Sequence, residues 1–498
     1  MSNLTIDWIR RAEALNTRIR NFVNGRWVAG PGGETLEKYG PRDGKLLVKF
    51  GNGQMGDAEE AIVVARRAFE DGRWSRLPVE RRKDVLYKLA ALIEEHRHEL
   101  ALRECLDVGK PITDALNIDV PLAIAAIKYS AEAADKLYGK VYGVDQSSLS
   151  YELRRPMGVV AGIVGWNFPL VLATSKIGPA LATGNSVVLK PSELTSLSAA
   201  RVAELAVEAG VPEGILNVVH GGGAIGGALA EHSDVDLVTF TGSSQTGKKL
   251  MVAAGQSNMK RLILECGGKA PNIIFDDSPN LESIADAVVG RMFWNQGQVC
   301  TASSRLLIQT GIKERLLPIL IEKSAALGMG DPLNPQTKFA AVVSEGHRQK
   351  VLGYIDSGRK EGARIAYQSD AKAPYEEGFY VPPVIFDKVS PGQRIAQEEI
   401  FGPVVSAIEF RDEDEAIKIA NDTIYGLSAI LWTTDMGRAH RMSQAIRAGW
   451  IVVNATGQAL GGAEGITVGG HKQSGIGTEG GVEGLDAYLS KTAVQYFV

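Results

Sequence analysis

The sequence contains very little cysteine. Three cysteines occur in 498 residues, at Cys105, Cys266 and Cys300. So few thiols, in an odd number, argue against a disulfide framework and for a reducing compartment. The first residues, among them Asp7 and Arg10, also lack the apolar core of a signal peptide. We therefore expect a cytoplasmic protein.

The sequence also lacks the features that nucleic-acid binding or membrane insertion requires. Lys and Arg number 54 against 58 Asp and Glu, which gives a net charge of −4 and no strongly basic surface. The most apolar stretch, residues 156–189, has Lys176 as its one formal charge, but Asn167-Phe168-Pro169 and Gly178-Pro179 interrupt it. In lipid these breaks would leave backbone groups without partners, so we expect a buried core and neither nucleic acid nor membrane as a partner.

What the sequence does contain is an alternation of buried strands and amphipathic helices, over a length that suggests two or three domains. Before residue 139 the pattern is mostly helical, with helix-like apolar spacing over 57–72 and 79–106. A further helix is expected over 196–208, capped by Thr195 and closed by Gly210. Short β-branched runs predict strands at 159–164, 186–189, 216–219 and 237–240. This rhythm indicates a doubly wound, mainly parallel sheet.

A second α/β pattern covers residues 267–468. Its predicted strands lie at 272–275, 305–309, 404–410 and 450–453, and its helices at 281–294, 312–327 and 413–421. The chain ends in an amphipathic strand over 487–498, which we expect to pair with another subunit because an unpaired strand is an open edge. Together with a hairpin-like segment at 139–155, this strand favours an oligomer.

Three turns that follow predicted strands favour nucleotide binding. The Gly-Gly-Gly-Ala-Ile-Gly run at 221–226 fits the glycine fingerprint of dinucleotide sites, but a tight turn explains it equally well. After another strand come Lys190 and Glu193, and a carboxylate there can accept hydrogen bonds from ribose hydroxyls and repel a 2′-phosphate. Gly242 and Ser243 precede a helix whose N-terminal amides can hold a pyrophosphate.

A candidate nucleophile and two polar companions follow loops or strand ends. Cys300 comes after a glycine-containing loop; taken alone, it fits a buried inert thiol better than a nucleophile, and only its companions change this interpretation. Glu265 ends an apolar strand, where burial would suit it as a general base, or it forms a salt bridge with Lys269. Asn167 can donate to an oxyanion or form a turn. Cys105 is expected to be a small buried hydrophobe. The seven His residues have no metal-ligand spacing, so no metal is expected.

These residues together resemble the NAD(P)-dependent aldehyde dehydrogenase superfamily, over nearly the whole chain. Six motifs carry the resemblance: Trp166-Asn167-Phe168-Pro169, Lys190-Pro191-Ser192-Glu193, Phe240-Thr241-Gly242-Ser243, Leu264-Glu265-Cys266-Gly267-Gly268-Lys269, Gly297-Gln298-Val299-Cys300 and Glu398-Glu399-Ile400-Phe401-Gly402-Pro403-Val404. Within the superfamily, Ser257-Asn258-Met259-Lys260-Arg261 is similar to bacterial γ-glutamyl-γ-aminobutyraldehyde dehydrogenases.

The resemblance implies a fold and a reaction. The fold would be aldehyde dehydrogenase-like α/β, with two doubly wound α/β domains and a small β oligomerisation domain. The NAD-binding domain would comprise 1–138 and 157–266, the catalytic domain 267–468, and the oligomerisation elements 139–156 and 480–498. A homodimer or homotetramer would oxidise a small-molecule aldehyde to its carboxylic acid with NAD, and less readily with NADP.

The resemblance also implies residue roles. Cys300 would attack the aldehyde, Asn167 would hold the oxyanion, and Glu265 would activate water for hydrolysis of the thioester. Lys176 and Glu479 would lie behind Glu265 and relay its proton. The residues expected to bind the cofactor are Trp166, Lys190, Ser192, Glu193, Gly242, Ser243, Glu399 and Phe401.

The sequence departs from the family pattern where the substrate would bind. Cys266 replaces the usual Leu, Ser175 stands where many relatives carry Trp, and Thr467-Val468-Gly469-Gly470 replaces Pro-Phe-Gly-Gly after a Gly-rich loop at 456–466. The expected substrate is an aminoaldehyde such as γ-glutamyl-γ-aminobutyraldehyde; the alternative is an aromatic or other bulky aldehyde or a semialdehyde. A cysteine hydrolase without hydride transfer is the rival class, but it leaves Glu193 and Glu399 unexplained.

Overall fold

Two large sheets organise the chain in the computed structural model, which describes residues 6–28, 34–143, 147–278, 280–455 and 464–497. In spatial order the first sheet contains Arg26–Trp27, Phe22–Val23, Leu216–Val218, Ser186–Lys190, Val159–Ile163, Leu237–Thr241, Arg261–Glu265 and Gly475–Ile476. The five strands from Leu216–Val218 to Arg261–Glu265 are parallel. The four strands predicted in this half are therefore confirmed.

Helices pack on both faces of this sheet, because alternate side chains of a strand point to opposite faces. Val160 enters one core, whereas Val159 and Ala161 enter the other. The first core is formed with helices Val79–Glu95, Arg97–Val108, Val120–Ala133, Pro169–Ala182 and Leu197–Ala209, and the second with Met55–Glu70, Gly223–Glu231 and Ser244–Gln256. The apolar 156–189 stretch is thus strand, helix and strand, and no helix in the described part of the chain is long and apolar enough to span a membrane.

Two expectations about these helices are wrong. The single helix expected over 79–106 is two helices, which are separated at His96 by a non-helical φ of −90° and ψ of 16°. Thr195 is not an N-cap, since the next helix begins at Leu197. The first N–H of this helix, that of Leu197, donates to Asp107 Oδ2 at 2.8 Å. A carboxylate that is distant in sequence therefore caps the helix in place of the expected local hydroxyl. Gly210 ends this helix in a left-handed conformation, as predicted.

The second sheet has seven strands and confirms the second α/β pattern. Its spatial order is Arg364–Gln368, Val384–Asp387, Val404–Phe410, Arg305–Gln309, Pro271–Ile274, Ser428–Trp432 and Trp450–Val453. All neighbours are parallel except the first pair. The helices packed on it are Leu281–Phe293, Thr310–Ala325, Glu345–Lys360, Glu413–Asn421 and Met436–Ala445.

The last strand pairs with another strand of the same chain. The expectation that this pairing needs another subunit is therefore wrong. Leu489–Phe497 lies antiparallel to Ser148–Pro156, which also pairs with Val141–Tyr142. The outer edge of Leu489–Phe497 has no partner strand among the described residues. The remaining elements are hairpin Thr35–Tyr39 with Leu46–Gly51, the pair Tyr425–Gly426 with His471–Lys472, and helices Trp8–Ala14, Ile112–Asp114, Ala115–Asp119, Ala134–Lys136, Trp294–Gly297, Arg394–Gln397 and Gly481–Asp486.

Candidate active site

Most of the predicted site residues follow the carboxyl ends of the parallel strands in the first sheet. These ends meet along one edge, where open α/β sheets bind their ligands. The residues are Trp166 and Asn167 after Val159–Ile163, Ser192 and Glu193 after Ser186–Lys190, Gly242 and Ser243 after Leu237–Thr241, and Glu265 at the end of Arg261–Glu265.

Cys300 follows a strained loop. Asn295, Gln296 and Gly297 have φ values of 47°, 57° and 72°, in the left-handed region. Such a conformation costs a non-glycine residue on the order of 1–3 kcal/mol and persists only where the surroundings enforce it. At Gly297 a Cβ would lie 2.3 Å from the carbonyl oxygen of Gly402, so a side chain there is excluded.

Glutamine side chains hold this loop against residues 340–343. The Gln296 amide nitrogen faces the Ala341 carbonyl and its oxygen faces the Ala340 N–H, each at 3.1 Å. Gln298 Oε1 accepts from the Val343 N–H at 2.9 Å. All five residues are buried, so these hydrogen bonds do not compete with water.

Asn167 contacts the same loop with both its backbone and its side chain. Its carbonyl accepts from Asn295 Nδ2, and its own Nδ2 donates to the Gln298 carbonyl, both at 3.0 Å. The side-chain amide has two N–H groups, and the described hydrogen bonds engage one. The other N–H is therefore available close to Cys300, which lies two residues after Gln298.

Burial raises the pKa of all three thiols, but one of the three cysteine residues is partly exposed. The pKa of Cys300 is raised to about 12, first by burial and then by the charges of Glu399 and Glu265. Burial raises the pKa of Cys266 to about 12 and that of Cys105 as well. Cys300 is partly exposed, whereas the other two are buried. At neutral pH its thiol is protonated, so forming the thiolate requires a base.

Glu265 is half-buried between opposing charges, and its Oε1 is buried without a hydrogen-bond partner among the described residues. Burial and then Glu479 raise its pKa to about 8, against Lys176 and a hydrogen bond from the Gly470 N–H. Lys176 is fully buried and forms an ion pair with Glu479. A salt bridge from Glu265 to Lys269 is not formed, because the Lys269 Nζ has no hydrogen-bond partner in the part of the chain described.

One group of predicted nucleotide-binding residues lies at the end of strand Ser186–Lys190 and in the turn that follows it. Lys190 Nζ lies 3.3 Å from Glu193 Oε2, and burial lowers the pKa of Lys190. Ser192 Oγ accepts from the Leu194 N–H at 3.3 Å and so shapes the turn. These groups offer a cation, a carboxylate and a hydroxyl side by side.

Strand Leu237–Thr241 leads to a capped helix. Ser243 Oγ accepts from the Thr246 N–H at 3.2 Å at the start of Ser244–Gln256, and the Gly242 N–H donates to the Glu265 carbonyl at 2.9 Å. The neighbouring Thr241 Oγ1 is buried and has no hydrogen-bond partner among the described residues. An orphaned hydroxyl beside a helix N-terminus fits a bound phosphate group, so the residues at this edge suit a dinucleotide.

Glu399 and Phe401 reach this region from the second sheet. Glu399 Oε1 accepts from the Gly268 N–H at 2.8 Å, and burial raises the pKa of Glu399. A Cβ on Gly267 would lie 2.3 Å from Glu399 Oε2, so only glycine fits there. The rings of Phe401 and Trp166 are 5.1 Å apart and nearly perpendicular.

His347 is a site residue that the sequence analysis missed. Its ring lies 4.9 Å from that of Trp166, and its Nε2 lies 2.7 Å from the Phe401 carbonyl. Burial lowers its pKa to about 4, so the neutral ring donates an N–H that stabilises Phe401 at its left-handed φ of 61°. No local motif marks His347, because only the fold brings it to residues 166 and 401.

An aromatic pair lies beside the nucleophile loop. The rings of Phe168 and Trp294 are 5.0 Å apart, and Lys110 Nζ lies 4.0 Å from the Phe168 ring centre. Ser175 turns its hydroxyl to the Leu172 carbonyl of its own helix, at 3.0 Å. Within the Gly-rich loop expected at 456–466, residues 456–463 lie outside the described residues.

The fold and the site together are those of an α/β enzyme with a candidate thiol nucleophile beside a candidate dinucleotide site. The chain belongs to the aldehyde dehydrogenase family, whose model matches residues 27–494. The NADP/NAD-dependent aldehyde dehydrogenase PuuC of Escherichia coli (strain K12) is 44% identical over 97% of this chain and 96% of its own length.

Two solved structures are also similar. One is the indole-3-acetaldehyde dehydrogenase AldA of P. syringae in complex with NAD+ and IAA, 47% identical with a TM-score of 0.96 and 99% coverage of both chains. The other is the γ-glutamyl-γ-aminobutyraldehyde dehydrogenase of Burkholderia cenocepacia J2315, 44% identical with a TM-score of 0.95 and 98% coverage of both chains. These comparisons confirm the predicted family, the α/β fold and the predicted enzyme class, an aldehyde dehydrogenase that uses NAD.

Exposure and pKa together predict selective alkylation of one cysteine. Iodoacetamide should label Cys300 first, and the rate should rise about tenfold per pH unit between about pH 7.5 and 9.5, because the thiolate fraction grows in that proportion below a pKa of about 12. Peptide mass mapping over time measures this rate. A rate that levels off below about pH 9, or earlier labelling of Cys105, would contradict the prediction.

Proposed function

We propose that this protein oxidises an aldehyde to its carboxylic acid through a thioester on Cys300. The observation that carries the proposal is the convergence of one partly exposed cysteine, one free amide N–H and one half-buried carboxyl: the loop before Cys300 is bonded to Asn167, and the charge of Glu265 acts on the Cys300 thiol. Cys300, Asn167 and Glu265 supply these groups. No single one of them is diagnostic, but nucleophile, oxyanion donor and general base form one reaction set.

We propose that the dinucleotide binds along the strand ends of the first sheet. Lys190, Ser192 and Glu193 would hold the adenosine ribose, and the N-terminal amides after Gly242 and Ser243 the pyrophosphate. Glu399 would hold the nicotinamide ribose, with Phe401 and Trp166 packed beside it. The carboxylate of Glu193 would repel a 2′-phosphate, which favours NAD over NADP. NAD, when bound, accepts the hydride from the carbon that is bonded to sulfur.

The remaining chemistry belongs to side chains of this chain. The Cys300 thiol gives its proton to the Glu265 carboxylate. The thiolate then adds to the carbonyl carbon, and the electron pair moves to oxygen, where the Asn167 N–H and the Cys300 backbone N–H stabilise the charge. In the hydrolysis of the thioester, Glu265 takes a proton from water while the hydroxide adds to the carbon. Lys176 and Glu479 relay this proton outward. The sulfur leaves as thiolate and the carboxylic acid is released.

We propose an aminoaldehyde such as γ-glutamyl-γ-aminobutyraldehyde as the substrate. The supporting relatives are the Burkholderia cenocepacia enzyme and an aminoacetaldehyde dehydrogenase of Pseudomonas aeruginosa, 44% identical over 94% of this chain and 93% of its own length. An aromatic aldehyde is the second candidate. It is favoured by the Phe168–Trp294 ring pair and by the similar indole-3-acetaldehyde dehydrogenase.

We propose that the protein is a cytoplasmic homodimer or homotetramer. Its three cysteines are unpaired, as a reducing compartment would keep them. The outer edge of Leu489–Phe497 has no partner strand among the described residues, and Tyr496 and Phe497 on it are exposed. A second copy of the chain would cover this edge. We also propose the division into a NAD-binding domain around the first sheet and a catalytic domain around the second.

Cys300→Ala should abolish NADH formation with every aldehyde, because no other accessible thiol can form the thioester. NAD should still bind, since the residues proposed to hold it are unchanged. Absorbance at the NADH band over aminoaldehyde, aromatic, aliphatic and semialdehyde substrates measures turnover and ranks the substrates. Cys105→Ala is the matched control and should keep wild-type activity. Turnover of Cys300→Ala above about 1% of wild type would sink the assignment.

The pH profile should report the pKa of Glu265. Because its carboxylate form is the base, kcat should rise as the pH increases through about 8. Glu479→Gln removes a charge that raises this pKa, so the rising limb should move to lower pH, whatever happens to the maximal rate. Glu483→Gln, an exposed neighbour, should leave the limb in place. If the rising limb of the pH profile of Glu479→Gln stays in place or moves to higher pH, the electrostatic coupling between Glu479 and Glu265 is excluded.

The exposed end of the terminal strand should control assembly. Phe497→Asp places a charge where an apolar ring is exposed, and light scattering should show the mass falling toward that of one chain. Met259→Asp, at another exposed position, is the control and should keep the wild-type mass. A wild-type protein that already has the mass of one chain would exclude the proposed assembly.

A further inference from the structure

A buried lysine joins an N-terminal hairpin to the wall of the nucleophile loop. Lys38 lies on Thr35–Tyr39, which pairs with Leu46–Gly51 and belongs to neither large sheet. Its side chain is 4% exposed, and its Nζ donates to the Val343 carbonyl at 3.1 Å. Burying an ammonium group costs free energy unless hydrogen bonds or an opposite charge compensate for its lost hydration.

The peptide groups on either side of Val343 face two different parts of the molecule. The carbonyl of Val343 accepts from Lys38, while its N–H donates to Gln298 Oε1 at 2.9 Å. The preceding residues 340 and 341 hold the Gln296 amide. Lys38 therefore forms a hydrogen bond with the same segment, 340–343, that binds the side chains of Gln296 and Gln298.

The 340–343 segment needs such restraint because it belongs to no helix or strand. Besides the glutamines and Lys38, its backbone bonds are Ala341 N–H to the Gly109 carbonyl at 3.1 Å and Val342 N–H to the Phe379 carbonyl at 2.8 Å. The Val343 carbonyl is thus held by the Lys38 side chain. A substitution at residue 38 can therefore remove this contact and leave the backbone hydrogen bonds of the segment in place.

An aspartate keeps the lysine in its charged form. Asp107 is 1% exposed, accepts from the Leu197 N–H through Oδ2 and has no hydrogen-bond partner for Oδ1 in the described chain. Burial lowers the pKa of Lys38 to about 8, and the charge of Asp107 opposes this change. Asp107 thus favours the ammonium form without forming a close ion pair with it.

We propose that Lys38 is a positioning residue for the nucleophile: by holding Val343 against Gln298, it keeps the strained loop in the conformation that places Cys300 beside Asn167. Lys38 touches neither substrate nor cofactor in this scheme and acts through two hydrogen bonds in series. The proposal rests on the proposed role of Cys300.

Lys38→Met tests this proposal by removing the donor while keeping most of the side-chain volume. We expect kcat to fall about tenfold, because a nucleophile displaced by a fraction of an ångström reacts more slowly, while the KM for NAD stays within about twofold. Hydrogen exchange should accelerate in peptides that cover residues 295–300 and 340–343. Lys38→Arg, which keeps donor and charge, should recover activity to within about threefold of wild type.

The matched control lies on the same hairpin. Lys49 is exposed and pairs with Glu37 at 3.1 Å. Lys49→Met should therefore leave kcat unchanged, as well as hydrogen exchange in the peptides that cover residues 295–300 and 340–343. If Lys38 mattered only for stability, Lys38→Met would lower the melting temperature without changing kcat or exchange in the loop. That result overturns the proposal. Should Lys38→Met fail to fold, Lys38→Gln replaces it with the same expected and contradicting outcomes.

A double-mutant cycle separates this path from any other. If Lys38 acts through Gln298, adding Lys38→Met to Gln298→Met should lower kcat by less than about twofold more, whereas independent effects would multiply. Multiplying effects therefore count against the proposal. Hydrogen exchange in the loop needs no turnover, so it tests the Lys38 contact even if Cys300→Ala retains activity and the proposed function fails.

Discussion

The loop before Cys300 is a conformation that its own residues do not favour, and much of the surrounding structure exists to hold it. Asn295 and Gln296 are both left-handed, followed by Gly297. Hydrogen bonds from the Asn167 turn and from residues 340–343 hold it. Strain of this kind persists where packing over-determines it, and here it directly precedes Cys300, whose thiol is close enough to Glu265 and Glu399 for their charges to raise its pKa.

Burial sets the acid–base properties of the same edge. A thiol and a carboxyl removed from water both have raised pKa values, so each is held in its protonated form near neutral pH. The ion pair of the buried Lys176 with the half-buried Glu479 supplies opposing charges that act on Glu265. The pKa of Glu265, about 8, therefore lies near neutral pH, as the proposed role of general base requires, and the Cys300 thiol stays protonated until a base removes its proton.

Local sequence signals predicted most elements and failed where distant residues intervene. Alternating β-branched runs located the buried strands because a parallel sheet covered on both faces requires apolar side chains at every position. The helix expected from Val79 onward was interrupted at His96, where the apolar period alone shows no break. Thr195 was expected to cap a helix, but Asp107 reaches its first N–H from another helix. Propensity describes neighbours along the chain and cannot anticipate such a contact.

The sequence by itself determined the family, the fold class and the identity of the chemical groups, because the motifs around Asn167, Glu265 and Cys300 combine specific residue types in a specific order. The tertiary structure alone decided how these groups are held. His347 reaches Phe401, and Lys38 reaches Val343 across 305 positions of the chain. Neither contact leaves a local pattern, since each depends on where two distant backbones meet, and that is settled only when both sheets and the hairpin have packed together.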